Sequence, residues 1–358
     1  MSQAVSGISL TSKPNISKSN VPGADPIEHI WQLAGGYIVS SVLNVVVKLN
    51  IADRLATGPK TAAELAKETG TNAGALYRGL RLLAMAGVFH EDQSRRFALT
   101  PVGETLRSDS PNSMREAIEW MCDPFHLRLY AETAHAIRTG ETVDRRVLGK
   151  SLFDYLQEDR EEGAVFHRAM TNLTATMTPA LLEAYDFSPI KTLVDVGGGH
   201  GGFLASALQH FPKLKGVVYD MPQVVEGAHE NLRRAGVSDR CSVNGGDFFQ
   251  SVPSGADAYM MKLIIHDWAD EPALKILKNC RKALDGVKGG RLLIMDAVIA
   301  TGNEPHFSKV VDIEMLLLPG GLERTASEFR DLLSRARFRV TQIIPTKCPL
   351  SIIEAICA

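Results

Sequence analysis

The sequence of 358 residues is poor in cysteine, has no long apolar run and carries no excess of either charge. Its 5 cysteines (Cys122, Cys241, Cys280, Cys348, Cys357) are odd in number, scattered and without a CxxC pair. That argues against a disulfide framework or a structural zinc and for a reducing, cytoplasmic setting. The 10 histidines show no HExxH or comparable spacing. Cys122 and His126 share a helical spacing, which packing explains better than ligation, so no metal is expected. The longest apolar stretches, such as Val42–Val47, fall far short of the ~20 residues that span a bilayer. Residues 1–24 lack the apolar core of a signal peptide and read as a disordered tail. Lys+Arg 39 against Asp+Glu 41 leaves a net charge of −2, and with it no global field for nucleic acid or anionic lipid. With 45 % hydrophobic and 22 % charged residues, the chain has the make-up of a globular protein. Its length points to two globular units.

The first unit is expected over residues 25–110. Asp25-Pro26 reads as an N-cap followed by proline in the first turn. The helix it opens, over 27–48, is apolar around most of its circumference and must be buried on nearly all sides. An amino-terminal helix rarely achieves this alone, so it is read as partly an oligomer contact. Thr61-Ala-Ala-Glu64 is a capping box that starts a short helix. A second helix follows over 71–86, and the segments 88–90 and 97–99 form a hairpin around a polar turn. Helix, helix and two-stranded wing make a winged helix. Residues 51–110 hold 8 Lys/Arg against 7 Asp/Glu, and the would-be recognition helix offers only Arg78 and Arg81. A dimerising role is therefore favoured over DNA binding.

Residues 111–188 look helical throughout. One helix over 113–139 carries Trp120, Met121, Phe125, Leu129 and Tyr130; a later one carries Phe166, Met170, Leu173 and Met177. Such stripes are core unless the next unit turns a reactive centre towards them.

From residue 189 short apolar strands alternate with helices, the pattern of a doubly wound, mostly parallel α/β sheet. Strands are expected at 192–196, 216–219, 241–243, 258–261 and 291–295, with 340–344 and 351–356 as an antiparallel edge hairpin. Ligands of such a sheet bind at the carboxyl ends of its strands. The first strand ends in Asp195-Val-Gly197-Gly198-Gly199-His200-Gly201-Gly202. These glycines fit a dinucleotide fingerprint and equally an S-adenosylmethionine loop, and both readings use Asp220 for a ribose. Asp195 would repel a pyrophosphate but suits ammonium and sulfonium charges. Gly245-Gly246-Asp247-Phe248 adds a carboxylate and an aromatic where an adenine could bind. After the fourth strand stands Lys262-Leu-Ile-Ile-His266-Asp267-Trp268, and an imidazole flanked by carboxylates at a strand's end is a general-base candidate.

The succession VDVGGGHG (194–201), VYDMPQVV (218–225), GGDFF (245–249), MKLIIHDWAD (261–270) and PGGLERTASEF (319–329) resembles the plant-type, caffeate-like O-methyltransferases and their bacterial and hydroxyindole relatives. The resemblance spans nearly the whole chain. It implies a Rossmann-like class I methyltransferase sheet over 189–358, a winged-helix dimerisation domain, a homodimer and S-adenosyl-L-methionine as methyl donor. It places the cofactor against Asp195, Gly197, Gly199, Asp220, Asp247, Phe248, Lys262 and Trp268. His266 matches the catalytic base and Glu323 one of its two acidic neighbours. The other acidic position, glutamate in the plant enzymes, is Asp296, one methylene shorter. Pocket positions match Met121, Phe166, Met170, Met315 and Leu318. Leu318 replaces an asparagine that contacts substrate in the phenylpropanoid enzymes and so removes a polar handle. The implied acceptor is a phenolic or enolic hydroxyl of an aromatic or polyketide-like small molecule, without nucleic acid or membrane partners. An NAD(P)-dependent oxidoreductase, a winged-helix regulator with a vestigial cofactor domain, and a methyltransferase scaffold turned to other chemistry stand as alternatives.

Overall fold

The computed structural model describes residues 25–358. The tail expected over 1–24 lies outside the described residues.

Asp25 caps the first helix as expected, its carboxylate accepting from the Ile27 N–H, with Pro26 in the first turn. The single helix expected over 27–48 is instead two, Pro26–Ala34 and Gly36–Lys48, meeting at a 48° bend. The paired Gly35 and Gly36 at the break have the weakest helix propensity after proline. Among the described residues no single helix is long and apolar enough to cross a membrane. Thr61 and Glu64 form the expected capping box at the start of Ala62–Thr69, and Asn72 caps Ala73–Met85. The hairpin pairs β2 (Phe89–Glu91) with β3 (Arg96–Leu99), and β1 (Lys60–Thr61) adds a third strand along β3. Ile51, Leu65, Leu80, Leu83 and Phe97 fill the core beneath.

The middle of the chain is helical but more broken than expected. The helix expected over 113–139 is three: Arg115–Met121, Pro124–Tyr130 and Thr133–Thr139. The first break falls at Asp123-Pro124, where Asp123 accepts from the Phe125 N–H and Pro124 takes the first turn of the next helix, the position that suits proline. Short helices Asp144–Leu148 and Leu152–Glu158 lead to the long helix Arg160–Ala184.

The sheet follows the sequence pattern closely. Strands β4 (Thr192–Val196), β5 (Lys215–Asp220), β6 (Cys241–Gly245), β7 (Ala258–Lys262), β8 (Arg291–Asp296), β9 (Phe338–Pro345) and β10 (Ser351–Cys357) lie in the order β6-β5-β4-β7-β8-β10-β9. β4 to β8 pair in parallel, while β10 runs antiparallel to both β8 and β9, the expected edge hairpin. Both faces are covered. Leu181, Phe187, Phe203 and Leu208 pack on one, and Ile276, Leu277, Phe329 and Leu332 on the other. Burial on both faces explains why the central strands are continuous apolar runs. The chain winds outward in one direction from β4 and in the other from β7. The carboxyl ends of these two neighbours therefore flank the switch point where ligands of such sheets bind.

Candidate active site

Three glycines carry the turn after β4. Gly197, Gly199 and Gly201 have φ values of 73°, 55° and 72°, which strain any residue with a Cβ. A Cβ on Gly197 would also collide with the Ile264 side chain. The helix Gly202–His210 starts directly behind this turn, so free backbone N–H groups line it. Asp220, at the end of β5, holds the turn from the side. Its two oxygens accept from the Gly199 N–H at 2.8 Å and the Met221 N–H at 2.7 Å. Burial pushes its pKa up, and these two N–H groups and nearby histidines partly offset that.

Beneath the loop, Asp195 is buried and its pKa is pushed up to about 7 by desolvation, against the pull of the Lys262 ammonium. Lys262 is shifted the opposite way for the same reason: burial lowers its pKa, while Asp195 and Asp296 oppose the fall. Its Nζ donates to Thr174 Oγ1 at 3.0 Å, which ties the helix Arg160–Ala184 to the end of β7. On the far side, Phe248, Phe249 and Trp268 form an aromatic wall, with Phe249 edge-on to Trp268 at 4.7 Å. Trp268 Nε1 is buried there without a hydrogen-bond partner. Asp247 turns its Oδ1 to the Phe249 N–H at 2.8 Å. A glycine loop, two carboxylates beneath it and an aromatic wall with an orphaned donor could hold a cationic adenosyl cofactor.

His266 sits on the 3₁₀ turn Ile265–Asp267, reached from β7 through Leu263, whose φ of 54° turns the chain out of the sheet. The imidazole is buried. Its Nδ1 lies 2.9 Å from Glu323 Oε1, and its Nε2 lies 3.4 Å from Asp267 Oδ1. Burial alone would lower its pKa, but Asp267, Glu323 and Asp296 outweigh that and raise it to about 9. Asp267 itself is pushed up to about 6 by burial, with the His266 charge pulling it back. Asp296, at the end of β8, is fully buried and neither of its oxygens has a hydrogen-bond partner. It thus acts on the imidazole only through its field, and the second carboxylate beside the ring is Asp267.

The turn is clamped by the Gly320–Arg324 segment. The Leu322 N–H donates to the His266 carbonyl at 2.9 Å. Arg324, 1 % exposed, spans the turn from end to end. Its guanidinium donates to the carbonyls of Ile265 at 3.1 Å and Trp268 at 2.8 Å, and to Asp270 Oδ1 at 2.9 Å. From the other side, Asp312 accepts from the Glu323 N–H at 2.8 Å and fixes that segment to the helix Ser308–Leu317.

The expected pocket residues gather in part. Met121, Phe166, Met170 and Leu318 join one cluster with Trp120, Phe125 and Leu129; Met315 is buried outside it. Within that cluster His126 Nε2 lies 2.9 Å from Glu314 Oε1, and the Tyr130 hydroxyl donates to the other Glu314 oxygen. Cys122 ends the preceding helix and His126 lies on the next one, so the helical spacing expected of the pair does not form. Sequence reading singled out neither Arg324, Thr174, Asp312 nor Glu314 for the site. Arg324 stood inside a quoted motif, but nothing in its spacing tells that its fork closes on the His266 turn.

Residues 31–109 match the O-methyltransferase dimerisation domain family, and residues 130–339 match the O-methyltransferase domain family. A phenazine O-methyltransferase, PhzM, from Lysobacter antibioticus is 42 % identical over 342 residues, covering 95 % of this chain and 99 % of the relative. An 8-amino-8-demethylriboflavin N,N-dimethyltransferase from Streptomyces davaonensis is 35 % identical over 335 residues, covering 93 % of this chain and 96 % of the relative. The crystal structure of CalO1, a methyltransferase in calicheamicin biosynthesis, in its S-adenosylhomocysteine-bound form, superposes with a TM-score of 0.84. It is 37 % identical and covers 94 % of this chain and 100 % of that one. The dinucleotide reading left open by the glycine pattern therefore falls. The chain belongs to the S-adenosylmethionine-dependent O-methyltransferases, enzymes with a class I methyltransferase fold and an amino-terminal dimerisation domain.

Proposed function

We propose that the enzyme methylates a phenolic or enolic hydroxyl of a small aromatic or polyketide-like molecule, with His266 as general base. The observation that carries this reading is the 2.9 Å contact between His266 Nδ1 and Glu323 Oε1. With Nδ1–H held by a carboxylate, the lone pair of the neutral ring falls on Nε2, the nitrogen left to take a proton. A phenol of pKa about 10 is almost wholly neutral at pH 7, so it gains from handing over its proton as it attacks. Glu323, Asp267 and Asp296 stabilise the imidazolium that forms, each by a different means: a hydrogen bond, a close charge and a buried field. Base catalysis of this kind is worth roughly 10²–10⁴-fold, and holding the reactants in line adds the rest.

S-adenosylmethionine supplies an electrophilic methyl on a positively charged sulfonium. The Gly197–Gly201 turn and Asp195 would hold its methionine end, Asp220 the ribose, and Asp247 and Phe248 the adenine, with Lys262 and Trp268 lining the same site. A positive charge bound beside His266 lowers the imidazole pKa from the value that its carboxylates impose, which favours the base form near neutral pH. Residues 25–110 would form the dimerisation domain, 111–188 the acceptor pocket and 189–358 the cofactor domain. The dimerisation-domain match supports a homodimer. The exposed Ile27, Ile30, Trp31, Leu33 and Tyr37 on the first two helices offer its apolar face.

Transfer to nitrogen is the second reading, favoured by the relative whose name specifies an N,N-dimethyltransferase. Product analysis separates the two. Carbon-labelled methyl donor and a panel of hydroxylated and aminated aromatics should yield methyl ethers by NMR, and N-methyl products alone would overturn the hydroxyl assignment.

A further inference from the structure

In the aromatic cluster that holds the expected pocket residues, one polar atom is buried with nothing to bond. His126 is 1 % exposed, and its Nε2 is committed to Glu314 at 2.9 Å. The Tyr130 hydroxyl holds the second Glu314 oxygen, so the carboxylate is fixed from two sides. His126 Nδ1 is left without a hydrogen bond. Its ring stands edge-on to Trp120 at 4.5 Å and to Phe125 at 5.4 Å, with Phe166 5.3 Å beyond Trp120. A buried, unsatisfied polar atom is costly, and such atoms in folded proteins call for a specific reason. Of the other orphaned side-chain atoms among the described residues, Trp268 Nε1, both Asp296 oxygens and Glu323 Oε2 lie in the site described above, while Asn50 Oδ1, Arg115 Nε, Glu162 Oε2 and Arg281 Nε lie elsewhere. His126 Nδ1 lies instead among the expected acceptor-pocket residues.

The placement fits an acceptor that reaches from one to the other. Phe166, Met170 and Thr174 stand four residues apart on one face of the helix Arg160–Ala184. Phe166 touches the His126 cluster through Trp120, while Thr174 accepts from Lys262 at the end of β7. Those eight residues of helix span about 12 Å, more than a single ring needs. On the helix Ser308–Leu317, Glu314 lies one turn before Leu318, the expected pocket residue that caps its end.

We infer that His126 Nδ1 is a recognition point for a second oxygen on a fused-ring aromatic acceptor, at the end of the molecule remote from the hydroxyl that is methylated. This rests on the acceptor reading proposed above. A hydroxyl would donate to the neutral ring, and a carbonyl or carboxylate would accept from the protonated one; Glu314 fixes which nitrogen is presented. The polar handle that Leu318 removes is thus supplied from another helix.

The test compares a monohydroxy naphthalene with dihydroxy and hydroxy-carboxy naphthalenes, in the wild type and in His126→Phe, which keeps an aromatic ring and loses the nitrogen. Affinity is read by calorimetry on the S-adenosylhomocysteine-saturated protein and turnover by kcat/KM. In His126→Phe the two-oxygen compounds should lose roughly 10- to 100-fold in both readouts, the monohydroxy compound less than about 3-fold, and S-adenosylhomocysteine affinity should be unchanged. Tyr130→Phe, which frees one side of Glu314, should give a smaller loss of the same selectivity and serves if the first variant does not fold. An equal loss for all compounds, or none, overturns the recognition role while leaving the methyltransferase reading intact. Absence of methylation of every hydroxylated aromatic by the wild type would overturn both.

Discussion

No atom larger than hydrogen fits on the Cα of Gly321, because the carbonyl oxygen of His266 occupies the place that a Cβ would take. The neighbouring Leu322 N–H donates to that same carbonyl at 2.9 Å. The motif that carries Glu323 is therefore locked by main-chain contact to the turn that carries His266. Gly321→Ala must push the two apart. The expected result is a fall in turnover of about 10²-fold or more, since small displacements of catalytic groups cost that much. S-adenosylhomocysteine affinity, measured by calorimetry, should change far less.

Arg324 does the complementary work from inside. It bonds the carbonyls of Ile265 and Trp268, on either side of His266, and pairs with Asp270. Lysine keeps the charge but not the planar fork, so Arg324→Lys loses the simultaneous contacts. Turnover should drop by roughly 10-fold or more with a lowered melting temperature, and Arg324→Met should melt lower still because Asp270 and two carbonyls lose their donor. Unchanged kinetics in the lysine variant would mean that the fork has no part in placing the base.

The pH profile carries a sign. His266 has its pKa raised from the ordinary 6.5 to about 9 by Asp267, Glu323 and Asp296, which outweigh burial. A base works only when neutral, so kcat/KM for the acceptor should fall as pH falls through the imidazole pKa. At saturating cofactor the midpoint should lie below about 9, because the sulfonium charge opposes the carboxylates. Glu323→Gln removes one carboxylate and should move that acid limb to lower pH while reducing the plateau rate. The same shift predicts stability in the opposite sense. The folded state holds the proton more tightly, so the contribution is fully present below about 6.5 and is lost as pH rises through about 9. Thermal melts of wild type and His266→Gln across that window should converge at the alkaline end.

Asp220 has both carboxylate oxygens engaged by N–H groups of the chain, at Gly199 and Met221. It shapes the glycine turn as well as facing the site. Asn offers one acceptor where the carboxylate offers two, so Asp220→Asn should weaken S-adenosylhomocysteine binding by at least about 10-fold. Calorimetry without any acceptor measures this directly.

The sheet was readable in the sequence because each central strand is buried on both faces and so appears as an unbroken apolar run between loops. The helical middle was not read as well. Asp123-Pro124 and Gly35-Gly36 break helices that apolar periodicity alone runs straight through. His266, Glu323 and Asp220 were singled out in the sequence by their positions at strand ends and in motifs. Their mutual geometry was not, and Asp296 is the instructive case. Its place in the chain was matched to an acidic neighbour of His266, yet its oxygens make no hydrogen bond to the ring, and Asp267, next in sequence to His266, stands at Nε2. Arg324 and Glu314 went unseen because their meaning lies in what folds back onto them from far away in the chain.

The central claim is that His266 takes the acceptor's proton. The most direct measurement is transfer of a labelled methyl group from S-adenosylmethionine to a hydroxylated fused aromatic, in the presence of EDTA, by wild type and His266→Ala. The account predicts a methyl ether from the wild type unaffected by EDTA, a loss of at least ~10²-fold in turnover in the variant, and nearly unchanged S-adenosylhomocysteine affinity. Equal turnover in the variant, or activity that EDTA abolishes and Mg²⁺ restores, would contradict it.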